Sequence, residues 1–531
     1  MKSRNSQITQ LSDGHFDVLI IGGGINGAAA AAALSRQDLS VALVDAQDFS
    51  GYSSQSSSGL IWGGIKYLQT LEFPLVRRLC RQRNELIQAY PSTIRETRFL
   101  FSFKSEDWIR RWVLWCGTWL YWLLGSAATA APSLLTKSQV VHSEPGLSAA
   151  DIVGGVEYSD ATLTDGDARF VFNLIDSATQ GGCVAVNYLA VKGLQFGKDN
   201  DWTVKLFDGV KRQALSLKAR VLVNAAGPFA DSINQLAGVR TRHRHVYSKG
   251  IHLVVKRVSQ GSRVLSFFAD DGRPLFVIPT GDRSSLGTTD TPVDQPDTHV
   301  TERDRRFVLD NINRALGTPG KFTPADVISE RCGVRALAVS GVVDEGQDFL
   351  QLSRRHTVEV DRAHGMVTIF GGKLTSCLSV GRKIKTHVLA LLDRMNEGQR
   401  EDGFGESGTR ARDEFLRCAT RIFEADAHLV DVAKRLWRYY GEGANQILAA
   451  IQLDPSRAAF ILPEYGVTRA ELEFVQATQM VVTLDDYLRR RTLLAVTTRK
   501  EDLAVLAGMM EVCRILFGDR AKIEYEKTFS L

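Results

Sequence analysis

The sequence predicts an α/β fold: a Rossmann-like nucleotide-binding domain, an antiparallel-sheet cap domain and an all-α C-terminal domain. Three observations carry it. The apolar run Phe16–Ile21 ends in Gly22-x-Gly24-x-x-Gly27 and opens into the alanine-rich stretch 28–34. Strand-like apolar runs fill 251–256 and 274–279. From Asp413 onward the apolar periodicity is helical throughout.

The glycine turn comes first because it names a ligand class. Gly22 permits a tight turn, Gly24 lets the backbone approach a pyrophosphate, and Gly27 lets helix and strand pack closely. Ile25 and Asn26 then stand at a helix N-terminus, whose N–H groups and partial positive charge face phosphates. A second strand, Val41–Val44, stops at Asp45, where a carboxylate can accept hydrogen bonds from a ribose 2′-hydroxyl. An ordinary glycine turn would not bring strand, helix, strand and terminal acid in that order.

A nicotinamide domain would continue into another strand and helix. Here a serine-rich segment follows, with Ser53, Ser54, Ser57 and Ser58 ahead of Gly63 and Gly64. Its hydroxyl and backbone donors suit a second pass over a pyrophosphate and ribityl chain. Two more buried strands end in small residues, at Ala226-Gly227 and at Gly371-Gly372-Lys373-Leu374-Thr375. Three loops so far apart in sequence imply one cofactor held along its length, which favours FAD over NAD.

Composition bounds the rest. A chain of 531 residues has room for two or three domains, and 44% hydrophobic with 24% charged residues is ordinary for a folded domain. A net charge of +5 gives no case for nucleic acid. The seven cysteines are scattered, with no CxxC or Cys/His cluster, so neither a disulfide framework nor a metal site is expected and a reducing cytosol fits. The polar stretch Met1–His15 has no apolar core of a secretory signal.

One segment stands apart. Trp108, Trp112, Trp115, Trp119 and Trp122 recur at steps of four and three, as one helical stripe behind Arg110 and Arg111. The strongly apolar part, 112–124, makes roughly 20 Å of helix against a hydrocarbon core of about 30 Å, too short to span. Tryptophan favours the boundary between apolar and wet layers, and arginine attracts anionic lipid. An interfacial helix on a lipid surface is therefore expected; a core helix or a homodimer contact is the plain alternative.

These placements divide the chain. The nucleotide-binding domain is discontinuous over 14–80, 150–235 and 327–395. A helical, Trp-rich membrane-facing insert takes 81–149, a cap domain 236–326, a linker 396–411 and a helical C-terminal domain 412–531. The C-terminal part carries no EF-hand pattern.

Taken in order, the motifs resemble the FAD-dependent glycerol-3-phosphate dehydrogenases, within the D-amino-acid-oxidase-like flavoenzymes. The matching pieces are Gly22–Ala28, the serine-rich loop through Leu68, Val156–Asp160, Asn224–Pro228 and Lys249–His252. They continue through Ile278-Pro279, Gly287–Asp290, Gly333-Val334-Arg335, Phe370–Thr375 and Leu488–Thr492, spanning nearly the whole chain. The resemblance implies oxidation of sn-glycerol 3-phosphate to dihydroxyacetone phosphate by hydride transfer to flavin. It also implies electron transfer to membrane quinone, by a protein peripheral to the cytoplasmic face of a bacterial inner membrane.

It further implies roles for particular residues. Arg335 matches an arginine over the flavin, Arg354 one associated with the substrate phosphate, and His252 a histidine near the reacting carbon. Lys373 matches a lysine at the flavin's pyrimidine end, and Lys66 replaces the family's arginine in the serine-rich loop. On residue type alone each has a plainer reading. His252 could be a satisfied strand histidine, Arg354 and Arg355 an edge-strand pair, and Asp290 a turn cap. Arg489–Arg491 reads as a solvated or interdomain face, and Tyr67 could line a pocket or pack.

The chain also departs from the family pattern. Gly59 stands for a lysine, Trp62 for a histidine and Lys66 for an arginine, and Arg331-Cys332 precedes Gly333 where tyrosine or serine is usual. A related flavoenzyme acting on another polyol phosphate or a hydroxy or amino acid, with oxygen as acceptor, therefore stays open. A flavin-bound scaffold without turnover is the third reading.

Overall fold

The computed structural model describes residues 3–529 apart from 13, 105–107, 148–151, 270, 297, 318–320, 342–355, 396–400 and 423–426. The first of two large sheets begins with β1 (His15–Ile21) and β2 (Val41–Val44), joined by α2 (Ile25–Leu34) after a short N-terminal α1 (Arg4–Leu11). It is completed by β7 (Val184–Val186), β8 (Leu189–Phe196), β9 (Trp202–Asp208), β10 (Gln213–Asn224), β17 (Thr357–Asp361) and β18 (Met366–Phe370). The order is β17-β18-β10-β1-β2-β7, parallel from β18 to β7, with β9 and then β8 added beside β10.

The parallel strands are apolar on both faces because both are covered. On one side α2 lies between α6 (Asp167–Gln180) and α9 (Cys377–Leu391). Its alanines 28–33 are fully buried, and a Cβ on Gly381 of α9 would stand only 2.5 Å from the Ala29 carbonyl oxygen. Small residues let these helices close on one another, which aims the N-terminus of α2 along the strand ends.

The second sheet is mostly antiparallel. It runs β15 (Thr291–Val293), β11 (His243–Lys256), β14 (Arg283–Gly287), β13 (Pro274–Thr280), β12 (Val264–Phe268), β4 (Ile94–Lys104), β6 (Ile152–Leu163), β3 (Leu60–Ile61). Two further strands, β16 (Ser329–Ser340) and β5 (Ser133–Thr136), pair with β11 and β6.

Sheet membership cuts across the divisions drawn from sequence. Residues 81–149 are not all helical: β4 and β5 belong to the second sheet, β4 at its centre. Segments 60–61, 152–163 and 329–340, assigned to the nucleotide-binding domain, also pair there. Nor is the described part of 396–411 a loose connector. Asp402 binds Arg382 at 2.5 Å and Lys385, Gly403 N–H donates to the Ala32 carbonyl, and Glu406 accepts from Thr93 at 2.7 Å. Beyond it α10 (Thr409–Ile422) opens a helical domain with its own apolar core.

The tryptophan segment forms α4 (Trp108–Leu124), packed on α3 (Phe73–Ala89). Its outward face is not the tryptophan stripe itself. Ile109, Val113 and Leu123 are 59%, 67% and 63% exposed, with Trp112 at 52% and Trp119 at 37% along one flank. Trp115 and Trp122 are half-buried, Trp115 against the aromatic core under the helix. Thr118 and Tyr121 are buried. Among the described residues no helix is long and apolar enough to cross a membrane.

Candidate active site

The strand ends of the first sheet and one face of the second enclose a cavity of about 1230 Å³. Its floor starts at the glycine turn. Gly22 has φ +108°, a conformation that favours glycine, and its N–H donates to the Val44 carbonyl at 2.8 Å. A Cβ on Gly27 would overlap the Gly22 carbonyl oxygen, so only glycine lets α2 begin this close to β1. Gly24 is the N-cap of α2 and offers no side chain, leaving Ile25 N–H to donate to Ser54 at 3.0 Å.

Asp45 ends β2 as expected, but its oxygens are already engaged by the chain. One accepts from Gly23 N–H at 2.6 Å, the other from Gln47 N–H at 2.8 Å. Burial pushes its carboxyl up to about 7 despite these bonds.

The other loops close over the same cavity. Ser53 donates to the Val334 carbonyl at 2.5 Å, and Ser57 N–H donates to the buried Asp167 at 2.7 Å. Asn26 reaches across to the Gly371 carbonyl at 3.0 Å, joining the first loop to the last. Of the residues proposed for the cofactor, Gly22, Gly24, Ile25, Asn26, Asp45, Ser53, Ser54, Ser57, Ser58, Ala226, Gly227, Gly372, Lys373, Leu374 and Thr375 line the cavity. Gly27, Gly63 and Gly64 lie behind its wall and shape it.

Gly63 shows how. Its N–H donates to Asp160 at 3.1 Å, and a Cβ there would overlap the Tyr121 hydroxyl. The same Asp160 oxygen accepts from Tyr121 at 2.7 Å and from Arg83 at 2.8 Å. The loop bearing Trp62, Lys66 and Tyr67 is thus pinned from below by a buried hub that α3 and α4 share.

At the far end of the cavity four predicted residues come together. His252, in β11, is fully buried, and among the described residues neither ring nitrogen has a hydrogen-bond partner. Burial, and then the positive charges of Arg331 and Arg335, hold its imidazole well below its usual value and therefore neutral. Arg335, in β16, is fixed by the Thr289 carbonyl at 3.1 Å, Thr288 at 3.0 Å and Asp290 at 3.3 Å. Lys373 donates to the Tyr67 hydroxyl at 2.8 Å, and Lys66 lies 5.4 Å from the Tyr67 ring centre. Arg354 falls outside the described residues.

The structure settles several residues whose sequence reading stayed open and adds one that gave no signal. Tyr67 lines the cavity and ties the two lysines together. Asp290 does more than cap a turn, since it also holds Arg335. Arg273 reaches the cavity from the turn before β13, donating to the Asp290 carbonyl at 3.4 Å; a lone arginine after Asp-Gly gave no signal. Trp62 fills the histidine's place among aromatic rings, 6.4 Å from Tyr67 and 6.5 Å from Phe276. Gly59 has φ +67°, so a lysine there would take a strained backbone.

The family profile described as "FAD dependent oxidoreductase" matches residues 17–378, and that for the "C-terminal domain of alpha-glycerophosphate oxidase" matches 410–519. Glycerol-3-phosphate dehydrogenase 2 of Mycobacterium tuberculosis is 30% identical over 489 residues, covering 91% of this chain and 81% of its own. The chain belongs to the FAD-dependent oxidoreductases, in the glycerol-3-phosphate dehydrogenase family. The aerobic glycerol-3-phosphate dehydrogenase of Bacillus subtilis is 28% identical to this oxidoreductase over 507 residues, 92% of this chain and 89% of the relative. Among solved structures, the Bacillus halodurans glycerol-3-phosphate dehydrogenase complexed with FAD aligns with TM-score 0.75 at 22% identity, covering 100% and 96% of the two chains. That likeness supports the fold.

The cavity of this oxidoreductase fits FAD. The N-terminus of α2 and the glycine turn, where Gly22, Gly23 and Gly27 leave no room for a Cβ, would form a pyrophosphate cradle. Among the lining residues, Asp45 and Ala190–Lys192 would take the adenosine half and Lys373 the flavin half.

Proposed function

We propose that this oxidoreductase converts sn-glycerol 3-phosphate to dihydroxyacetone phosphate and passes the electrons to quinone at a lipid surface. The observation that carries it is the neutral His252, without a hydrogen-bond partner among the described residues, facing the cavity that Arg335, Lys66 and Lys373 also face. FAD bound there supplies the acceptor for a hydride from the substrate's carbinol carbon. His252 is then the group placed to take the hydroxyl proton: it is unprotonated at neutral pH, and among the described residues neither ring nitrogen is engaged. Arg335, locked by three hydrogen bonds, and Lys66 give the substrate's phosphate dianion fixed positive charge. Lys373 sets a cation at the end where negative charge gathers on two-electron reduction.

The outward face of α4 supports docking on lipid. Its centre is aliphatic, its flank is tryptophan, and Arg110 at its start lies 5.8 Å over the half-exposed Phe268 ring. Docked this way on the inner face of a plasma membrane, the oxidoreductase meets quinone where quinone resides.

The test is anaerobic addition of glycerol 3-phosphate to the flavin-loaded protein. Bleaching of the oxidised-flavin absorbance, its return on adding a quinone analogue, and detection of dihydroxyacetone phosphate are expected. A flavin that stays oxidised would overturn the substrate. Trp62 and Lys66 in the cavity favour, as second reading, a different polyol phosphate; bleaching by such a compound alone would establish it.

A further inference from the structure

The arginine run near the C-terminus is an interdomain face, with Arg489 partly exposed. Asp486–Arg491 is a π-helical turn of the C-terminal domain, a distortion that recurs at functional sites. It points both Arg490 and Arg491 inward, 7% and 0% exposed, onto Asp48 of the nucleotide-binding domain, itself 1% exposed. Arg491 grips both Asp48 oxygens at 2.8 Å, and Arg490 adds a third contact at 2.8 Å. Two more carbonyl or amide groups complete the cage: Arg491 Nε donates to the Gln479 carbonyl and Asn187 donates to Asp48.

From this cage two lines of contact run to the cofactor loops. Arg490 donates to the Gln55 side chain at 3.0 Å, inside the short turn that carries Ser53 and Ser54. The Gln55 carbonyl in turn accepts from Arg331 at 2.6 Å, whose guanidinium binds Asp167, the acceptor of Ser57 N–H. The second line goes to the glycine turn. Arg491 stacks 4.0 Å over Phe172, which packs on Phe49; Phe49 fills the space a Cβ on Gly23 would need, and Ser50 N–H donates to the Gly23 carbonyl at 3.0 Å.

We propose that Arg490 and Arg491 are positioning residues for FAD, through which the C-terminal domain holds the glycine turn and the serine-rich loop in register around the pyrophosphate. Neither arginine lines the cavity. Their action is on the loops that do, and it rests on the flavin site rather than on any choice of substrate.

The test measures FAD release from the full-length holoprotein, well below its melting temperature, by the fluorescence of freed flavin. Arg490→Gln breaks the fork to Asp48 and Gln55; its release is expected to be about tenfold faster or more, the scale of losing charge-assisted hydrogen bonds. Leu472→Ala, a fully buried position in the core of the C-terminal domain, is the control for general destabilisation and should release FAD at the parental rate. Gln55→Ala removes the acceptor from the other side, touches neither Asp48 nor the C-terminal core, and should also quicken release. It decides the matter if Arg490→Gln does not fold. Parental release rates in the arginine and glutamine variants would overturn the proposal. So would release from Leu472→Ala as fast as from Arg490→Gln at matched loss of melting temperature.

Discussion

Replacing Trp112 and Leu123 together by serine should detach the protein from lipid while leaving its fold and flavin intact. Both side chains point away from the body, 52% and 63% exposed, so little internal packing is lost. A tryptophan presents up to about 250 Å². The exposed part of Trp112 is then roughly 130 Å², and transfer at about 25 cal/mol per Å² is a ceiling of about 3 kcal/mol. The exposed part of Leu123 adds about 1–2 kcal/mol. Together the two changes weaken partitioning by up to about 5 kcal/mol, on the order of several thousandfold. Flotation of the flavin-loaded protein with vesicles containing anionic lipid measures this directly. The parental protein should float, and the variant should stay at the bottom with unchanged flavin content and melting temperature. Undiminished flotation of a folded variant would refute an interfacial role for α4.

Other outcomes follow from the cavity. Gly27→Ala drives a Cβ into the Gly22 carbonyl and should yield protein without FAD, read from the flavin-to-protein absorbance ratio. His252→Asn should keep FAD but slow flavin reduction by about a hundredfold or more. Because burial and two arginines hold His252 below its ordinary 6.5, the parental reduction rate should stay level as pH falls through 6.5 and drop only at lower pH. The unfolded chain protonates this histidine first, so folding stability from this group declines as pH falls below 6.5. For Asp45, raised from 3.8 to about 7, the sign is opposite. In the flavin-free protein the folded state keeps the proton longer, so melting temperature should fall as pH rises from about 4 to about 7, and Asp45→Asn should flatten that slope.

Local chemistry explains which parts of this molecule the sequence reveals. The glycine turn, α2 and the strand before Asp45 announce themselves because each needs its residue types nearby: no Cβ at Gly22 and Gly27, alanines where helices close in, apolar strands covered on both faces. The convergence of His252, Arg335, Lys373 and Lys66 was legible through the resemblance and then by geometry. β4 was hidden in plain view. Phe99, Phe101 and Phe103 alternate as a strand should, yet the tryptophan stripe that follows drew the whole segment toward helix. Arg490 and Arg491 read as a solvated or interdomain face, and the second holds, yet nothing within the local sequence says that Asp48, more than four hundred positions earlier, is the partner. Polar composition likewise suggests a linker at 396–411, in whose described part Asp402 and Glu406 are anchors. A pattern of residue types reports what a segment can do alone; it is silent about partners brought by the chain's return.

The hub at Asp160 gives α4 two independent edges. Side chains on its outer edge, Ile109, Val113, Leu120 and Leu123, are exposed, whereas the Tyr121 hydroxyl on its inner edge touches the carboxylate that also holds Gly63. Mutations in this one helix should therefore sort into two phenotypes that do not mix. If the proposed lipid docking holds, outer changes should alter where the protein resides, at constant turnover in detergent. Tyr121→Phe alters turnover at constant residence, because the loop of Trp62, Lys66 and Tyr67 loses its footing. A genetic screen that scores location and catalysis separately would trace the boundary between those edges residue by residue.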